Sequence, residues 1–309
     1  MSQARRFTIE KAQRKQVKIK IALTGLAGAG KSLGALLIAH GITQDWSKVG
    51  FVDTENESAL YYVNRTFHFA GNKDVHIGEF AHIPFRPPYD PPAWVEVIAF
   101  AEQQGLEVLI LDSITHEWEG IGGCLQIADK NYNKWAVVTP LHNQFIEAMR
   151  HSTLHIIATI REKSDYVDQE REVRGQKKME KVKVGTKSNT REGTDYEFGV
   201  MFKLERDTHE ARCENDRTGL FDGMQPQVLT PDVGQRLAAW ANNDGEAHLT
   251  EALRAEIRSV LHRLGAAPEK TLEVEQWMAR TGNDVGKLQK SLTGLKTRLA
   301  EVDPPDPLE

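Results

Sequence analysis

The residues with the most legible chemistry are Gly25-Leu26-Ala27-Gly28-Ala29-Gly30-Lys31-Ser32, which fit the pattern G-x-x-x-x-G-K-[ST]. Each residue type has a task in that pattern. Gly25, Gly28 and Gly30 let the backbone take positive φ and come close to an anion. The N–H groups of the loop and first helical turn, Ala29 and Leu33 among them, are placed to donate to phosphate oxygens. Lys31 adds a point charge on the β- and γ-phosphates, and the Ser32 hydroxyl is suited to Mg2+. The ligands expected from this stretch are ATP and Mg2+.

Carboxylates complete the chemistry. Leu106-Glu107-Val108-Leu109-Ile110-Leu111-Asp112 is an apolar run ending in an acid, the Walker B pattern, so Asp112 is expected to hold Mg2+ directly or through water. Many ATPases place the water-activating glutamate directly after this aspartate, but here that position is Ser113. Glu55, at the end of an earlier apolar run, is the better candidate for the base, with Glu117 as the alternative. Thr159 ends a further apolar run and is placed to sense the γ-phosphate. Arg161 beside it reads as an ion pair or a ligand contact, and His116 as a phosphate or DNA contact or a hydrogen-bonded loop histidine. Arg217 stands far from the loop in sequence, either as a surface turn arginine or as a group acting on a neighbouring subunit's nucleotide.

These side chains need a sheet to gather them. Residues 17–24, 49–53, 106–113 and 154–161 read as buried parallel strands, whose C-terminal ends form the edge where α/β sheets bind ligands. Helices are expected after the glycine loop, from Asn56 onward, over 90–104 with Asp90 as cap and Pro91 in the first turn, and from Thr139-Pro140 to Met149. Residues 75–85 read as one strand, and 197–206 and 210–215 as two more. A last core helix runs from Thr230-Pro231 to near Trp240. The domain plan is a basic arm over 1–16, an ATPase core over 17–241, a linker over 242–248, helices near 249–264, 268–281 and 284–301, and a disordered tail over 302–309.

Composition limits the options. With 309 residues and a net charge of −5, the chain has room for one large core and a small appendage, and it is not a wholly basic nucleic-acid binder. Its two cysteines, Cys124 and Cys213, have no metal-ligand spacing and suit a reducing cytoplasm. No apolar run reaches membrane-spanning length. Positive charge is concentrated locally in Arg174, Lys177, Lys178, Lys181, Lys183, Lys187 and Arg191, within a polar segment over 162–191. That segment reads as a solvated hairpin or loop, or as a contact with nucleic-acid phosphates.

The pieces GLAGAGKS, DTE, PYDPPAW, LDSITHEW, REGTDYEF and ENDRTGLFDG together resemble the phage-encoded RecA-like ATPases of single-strand annealing and recombination, over residues 17–240. The resemblance implies an α/β fold, a RecA-like P-loop NTPase core with a mainly parallel central sheet flanked by helices, followed here by a small C-terminal helical domain. It implies that Lys31 and Ser32 contact phosphate and Mg2+, that Asp112 is the Walker B acid and Glu55 the base. It also implies that Arg217 acts across a subunit interface and that 162–191 is a DNA-binding loop. Two positions depart from the bacterial recombinase. Thr159 stands where that protein has a glutamine, and the N-terminal arm has no FxxA motif. The expected partners are single-stranded DNA, further copies of the chain in a ring or filament, and a single-strand binding protein. The competing functions are a motor or loader for replication or packaging, and a nucleotide-binding scaffold with little turnover.

Overall fold

The computed structural model describes residues 17–69, 73–173, 176–242, 245–281 and 285–302. In chain order the elements are β1 (Lys20–Gly25), α1 (Lys31–Thr43), β2 (Val49–Asp53), β3 (Arg65–Phe69), β4 (Lys73–Ile77), β5 (Ala81–Pro84), α2 (Pro91–Gln103), β6 (Val108–Asp112), α3 (Thr115–Glu119), α4 (Cys124–Ala128) and α5 (Trp135–His151). They continue with β7 (His155–Val173), β8 (Gln176–Ser188), β9 (Val200–Leu204), β10 (Glu210–Asp216), β11 (Gln227–Val228), α6 (Pro231–Ala241), α7 (Gly245–Arg263), α8 (Pro268–Thr281) and α9 (Val285–Val302).

The main sheet runs in the order β11-β10-β9-β1-β7-β6-β2-β5. The six strands from β9 to β5 are parallel, and β10 and β11 close one side antiparallel. Strands buried on both faces are nearly all apolar, and β1, β2 and β6 are buried at every residue, with Lys20, Thr24 and the terminal Asp53 and Asp112 as their polar exceptions. One face packs Ala22, Leu109, Leu111, Ile156 and Ala158 against Trp94 and Ile98 of α2 and Phe145 and Met149 of α5. The α1 helix lies on the opposite face, with Gly34 beside Leu23. This is the expected mainly parallel sheet flanked by helices.

Several local expectations change. Residues 75–85 are two strands: β4 pairs with β3 in a separate two-stranded sheet, while β5 joins β2 in the main one. The break falls at Gly78, where an added Cβ would sit 2.6 Å from Cδ1 of the Trp46 ring, so the chain turns against the indole where only glycine fits. The stretch after Asn56 forms a single 3-10 turn over Ser58–Tyr61. The α5 helix starts at Trp135 and takes Pro140 into its interior. Tertiary packing of Trp135 on Trp118 favours that earlier start over the proline signal. By contrast, Asp90 caps α2 as expected, accepting from Ala93 N, with proline in the first turn.

The chain divides into two compact units, Lys18–Leu237 and one that includes Ala238 onward. In the second, Leu253, Ile257, Val260 and Leu261 of α7 are buried, as are Met278 of α8 and Leu288, Leu292 and Leu299 of α9. The α7 helix begins at Gly245, inside the stretch read as a linker. The basic arm over 1–16 and the tail after Val302 lie outside the described residues.

One histidine makes the core pH-sensitive. His155, at the start of β7, accepts a hydrogen bond from Ile19 N at 3.2 Å through Nδ1. Burial lowers its pKa to about 4 from an ordinary value of 6.5, with Lys18 and Lys20 adding to the effect. The unfolded chain therefore binds the extra proton first as pH falls, and stability present above pH 6.5 is lost down to about 4. The expected loss is about 3 kcal/mol. Denaturant melts at several pH values should show it in the native protein, and it should be absent in His155→Asn, which keeps an acceptor without the titration. An equal acid slope in both proteins would assign the loss elsewhere.

Candidate nucleotide site

The site lies where β1, β6 and β2 end, beside Thr159–Arg161 of β7, which continues past them. The register places Gly25 beside Arg161 and Asp53 beside Asp112. The glycine loop turns through Gly28 at φ +83° and Gly30 at φ +91°, both in the left-handed region that favours glycine. At its far end, Lys31 is the first residue of α1. Its Nζ donates to the carbonyls of Gly25 and Leu26, each at 2.9 Å, so the ammonium is held over the loop. Burial lowers the lysine's pKa, opposed by the nearby charges of Asp112 and Glu55.

Asp112 is 2 % exposed and accepts from two hydroxyls. Ser32 Oγ donates to Oδ2 at 2.5 Å, and Thr159 Oγ1 donates to Oδ1. Burial raises the Asp112 pKa while these two bonds oppose the rise. Ser32 and Asp112 are therefore adjacent hard-oxygen donors, which fits Mg2+, an ion held by one or two protein oxygens with water completing its shell. When bound there, the ion would offset charge developing on the β- and γ-phosphates. Thr159 is wholly buried and spends its hydroxyl on Asp112, so it positions the carboxylate.

Thr54 ties β2 to β6. Its N donates to Asp112 O at 2.8 Å, and its hydroxyl lies 2.9 Å from the same carbonyl and accepts from Ser113 N at 2.8 Å. His116 Nδ1 lies 2.6 Å from that hydroxyl. With the hydroxyl proton on the carbonyl, Nδ1–H is the donor and Nε2 is left as an acceptor. The ring stacks on Tyr89, centroids 5.0 Å apart. Burial lowers the His116 pKa, so the neutral ring is favoured. His116 thus belongs to the short helix α3 and braces the site.

Glu55 is presented by a turn that Asp53 organises, accepting from Glu55 N at 2.7 Å and Ala59 N at 3.0 Å. The Glu55 carboxylate forms an ion pair with Arg161 of β7, reaching across the end of β6. The alternative base is elsewhere: Glu117 is buried and accepts from His142 and Cys124.

Arg217 occupies the other edge of the sheet. Its N donates to Gly199 O, and Gly199 N donates to Lys20 O, at the start of β1. The glycine loop is at the end of β1, roughly 16 Å away at the rise of an extended strand. Arg217 therefore cannot serve its own chain's nucleotide, and its guanidinium donates to Tyr196 O. The turn between β9 and β10 instead brings two cationic or polar side chains to the loop. Arg206 Nε is 3.9 Å from where a Cβ on Gly28 would lie, and His209 Nδ1 is 3.6 Å from that position on Gly30. Neither carries a signal in the sequence, where both stand in an ordinary polar turn with no motif.

Within the 162–191 segment, residues 162–173 of β7 pair antiparallel with β8, residues 176–188. The register sets Asp168 opposite Lys181, Glu172 opposite Lys177 and Arg171 opposite Lys178. Lys187 pairs with Asp165 at 2.6 Å, and Arg191 Nη2 donates to Thr139 Oγ1 at 3.2 Å. Two lysines of the positive run, Lys177 and Lys181, thus stand opposite acids in the register, whereas Lys178 stands opposite Arg171 and Lys183 opposite Tyr166. Arg174 lies outside the described residues.

A family model described as AAA domain matches residues 17–245, well over half of the chain. The chain belongs to this AAA domain family. The AAA domain carries the nucleotide loop, Asp112 and the hairpin, and ends where α7 begins. The protein is an AAA-type P-loop ATPase. A KaiC-like protein from the hyperthermophilic archaeon Pyrococcus horikoshii is among the similar solved structures, at 14 % identity and a TM-score of 0.39, covering 70 % of this chain and 87 % of that one. No curated protein matches. Among the described residues no helix is long and apolar enough to cross a membrane.

Proposed function

We propose that this AAA domain protein hydrolyses ATP in response to single-stranded DNA and promotes annealing in phage recombination, inside the host cell. One observation carries the reading. The strand that contacts Asp112 through Thr159 and Glu55 through Arg161 continues without a break into the hairpin. A polymer held by the hairpin can therefore act on the Walker B acid and the base through a single strand. Lys203 on β9 ties the hairpin's root to the sheet, meeting Glu162 at 3.0 Å and Thr186 at 2.9 Å.

The test is ATP turnover with and without single-stranded DNA, at two salt concentrations. Neutralising Lys177, Lys178, Lys181 and Lys183 together is expected to weaken DNA binding and abolish stimulation, leaving basal turnover in place. The log–log salt slope should fall by about 0.7 for each phosphate that the variant no longer neutralises. Over 162–188 the hairpin carries eight basic and six acidic residues. That balance favours a second reading, in which the hairpin packs on a neighbouring copy. Unchanged affinity and slope in the quadruple variant, with altered oligomerisation, would select it.

Assembly into a ring or filament, with a single-strand binding protein as a further partner, completes the proposal. Arg217, at the far edge of the sheet, is then offered to the neighbour's nucleotide. Mixing Arg217→Ala with Lys31→Ala subunits should restore part of the turnover that each lacks alone. Mixed oligomers without recovery would remove Arg217 from the reaction.

A further inference from the structure

Beyond the nucleotide edge, three buried side chains of different ligand chemistry converge. Glu117 of α3, Cys124 of α4 and His142 of α5 are 2 %, 0 % and 4 % exposed. One donor atom from each lies within 4.8 Å of the other two. Glu117 Oε1 accepts from His142 Nδ1 at 2.9 Å and from Cys124 Sγ at 3.0 Å. We propose that this cluster is a binding site for a zinc-class divalent cation, held by one carboxylate oxygen, one imidazole nitrogen and one thiolate sulfur.

The donor set decides the class of ion. Sulfur and imidazole suit zinc, whereas Mg2+ and Ca2+ select oxygen. The geometry is close to what a tetrahedral ion needs. Bonds of about 2.0 Å to nitrogen and oxygen and 2.3 Å to sulfur place donors roughly 3.3–3.6 Å apart. Each hydrogen-bonded pair therefore opens by about half an ångström. Binding exchanges the thiol proton for a sulfur–metal bond, and that proton leaves to solvent, while the His142 proton moves from Nδ1 to Nε2 by tautomer exchange with water so that the Nδ1 lone pair meets the ion. Glutamate and thiolate then balance the two charges of the ion, and His142 binds as neutral imidazole. A water or another donor takes the fourth position.

The surroundings give such an ion a structural task. The α3 and α4 helices span only Thr115–Glu119 and Cys124–Ala128, too short to persist on their own. Their local core is small: Cys124, Ala128 and Val138, with Trp118, Ile127 and Trp135 against them. A cation joining α3, α4 and α5 would staple this unit. It would also seat His116, the residue before Glu117, against Thr54 beside the Walker B strand.

Cobalt is the probe. The full-length protein, stripped by a chelator and dialysed, is titrated with Co2+ in excess Mg2+, which occupies hard-oxygen sites but does not compete for thiolate. One equivalent is expected to bind with a near-ultraviolet thiolate-to-cobalt charge-transfer band and visible d–d bands, displaced by one equivalent of Zn2+. The band should survive Cys213→Ser and vanish in Cys124→Ser, and His142→Gln should weaken binding by more than about tenfold. Lack of the band in the folded native protein, or its loss in folded Cys213→Ser, overturns the proposal and leaves a hydrogen-bonded Glu–His–Cys cluster only. Should Cys124→Ser fail to fold, the Cys213→Ser protein decides, because Cys124 is then its only thiol.

Discussion

Lys31→Ala is expected to lower ATP turnover on the order of 10³-fold while the protein stays folded. The ammonium is held over the loop by the Gly25 and Leu26 carbonyls, at the point where phosphate charge must be met. Nothing else in the loop supplies a full positive charge; the glycines offer only N–H dipoles. The fold should tolerate the change, since burial already disfavours the charged lysine. Its hydrogen bonds are to loop carbonyls at the sheet edge, which water can satisfy after truncation. Phosphate release gives the rate, nucleotide fluorescence the affinity, and thermal melting the control. A folded variant with native kinetics would remove this loop from the chemistry.

Glu55→Gln is expected to bind ATP and hydrolyse it about 10²–10⁴-fold more slowly. The amide keeps the shape and one acceptor for Arg161 but cannot take a proton from water. Glu117→Gln is the comparison, because both positions offered a carboxylate after an apolar strand. Glu117 has its Oε1 committed to His142 and Cys124, away from the glycine loop's own contacts. Its variant should lose stability before it loses the chemical step. Single-turnover rates in the two folded variants separate these outcomes, and a stalled step in Glu117→Gln with a native rate in Glu55→Gln would reverse the assignment.

Asp112 and Glu55 show why motif reading is uneven. Asp112 is defined by the apolar run that precedes it, and burial of that run fixes its place at the strand end. Glu55 owes its position to a turn in which Asn56 and Glu57 both take positive φ and Asp53 caps two N–H groups. Local sequence hints at such a turn but does not say what the carboxylate will face. Only the strand order, which sets β7 two strands from β2 across β6, reveals Arg161 as its partner.

What the sequence by itself determined is local. The glycine loop, the buried parallel strands and the capped α2 helix depend on residues a few positions apart, whose types restrict φ, supply a charge or bury a face. Tertiary structure decided everything that depends on strand order and register. Inserting β7 between β1 and β6 sets Thr159 on Asp112 and Arg161 on Glu55. Pairing β8 with β7 turns an apparent basic run into a hairpin of facing charges. The antiparallel turn after β9 delivers Arg206 and His209 to the loop, while the return along β10 carries Arg217 to the opposite edge. Three helices brought together bury Glu117, Cys124 and His142 side by side, at a spacing that matches no metal motif. Periodicity in a chain reports which face of an element is buried; it carries no record of which other element will cover that face, and that choice is settled by packing over the whole sheet.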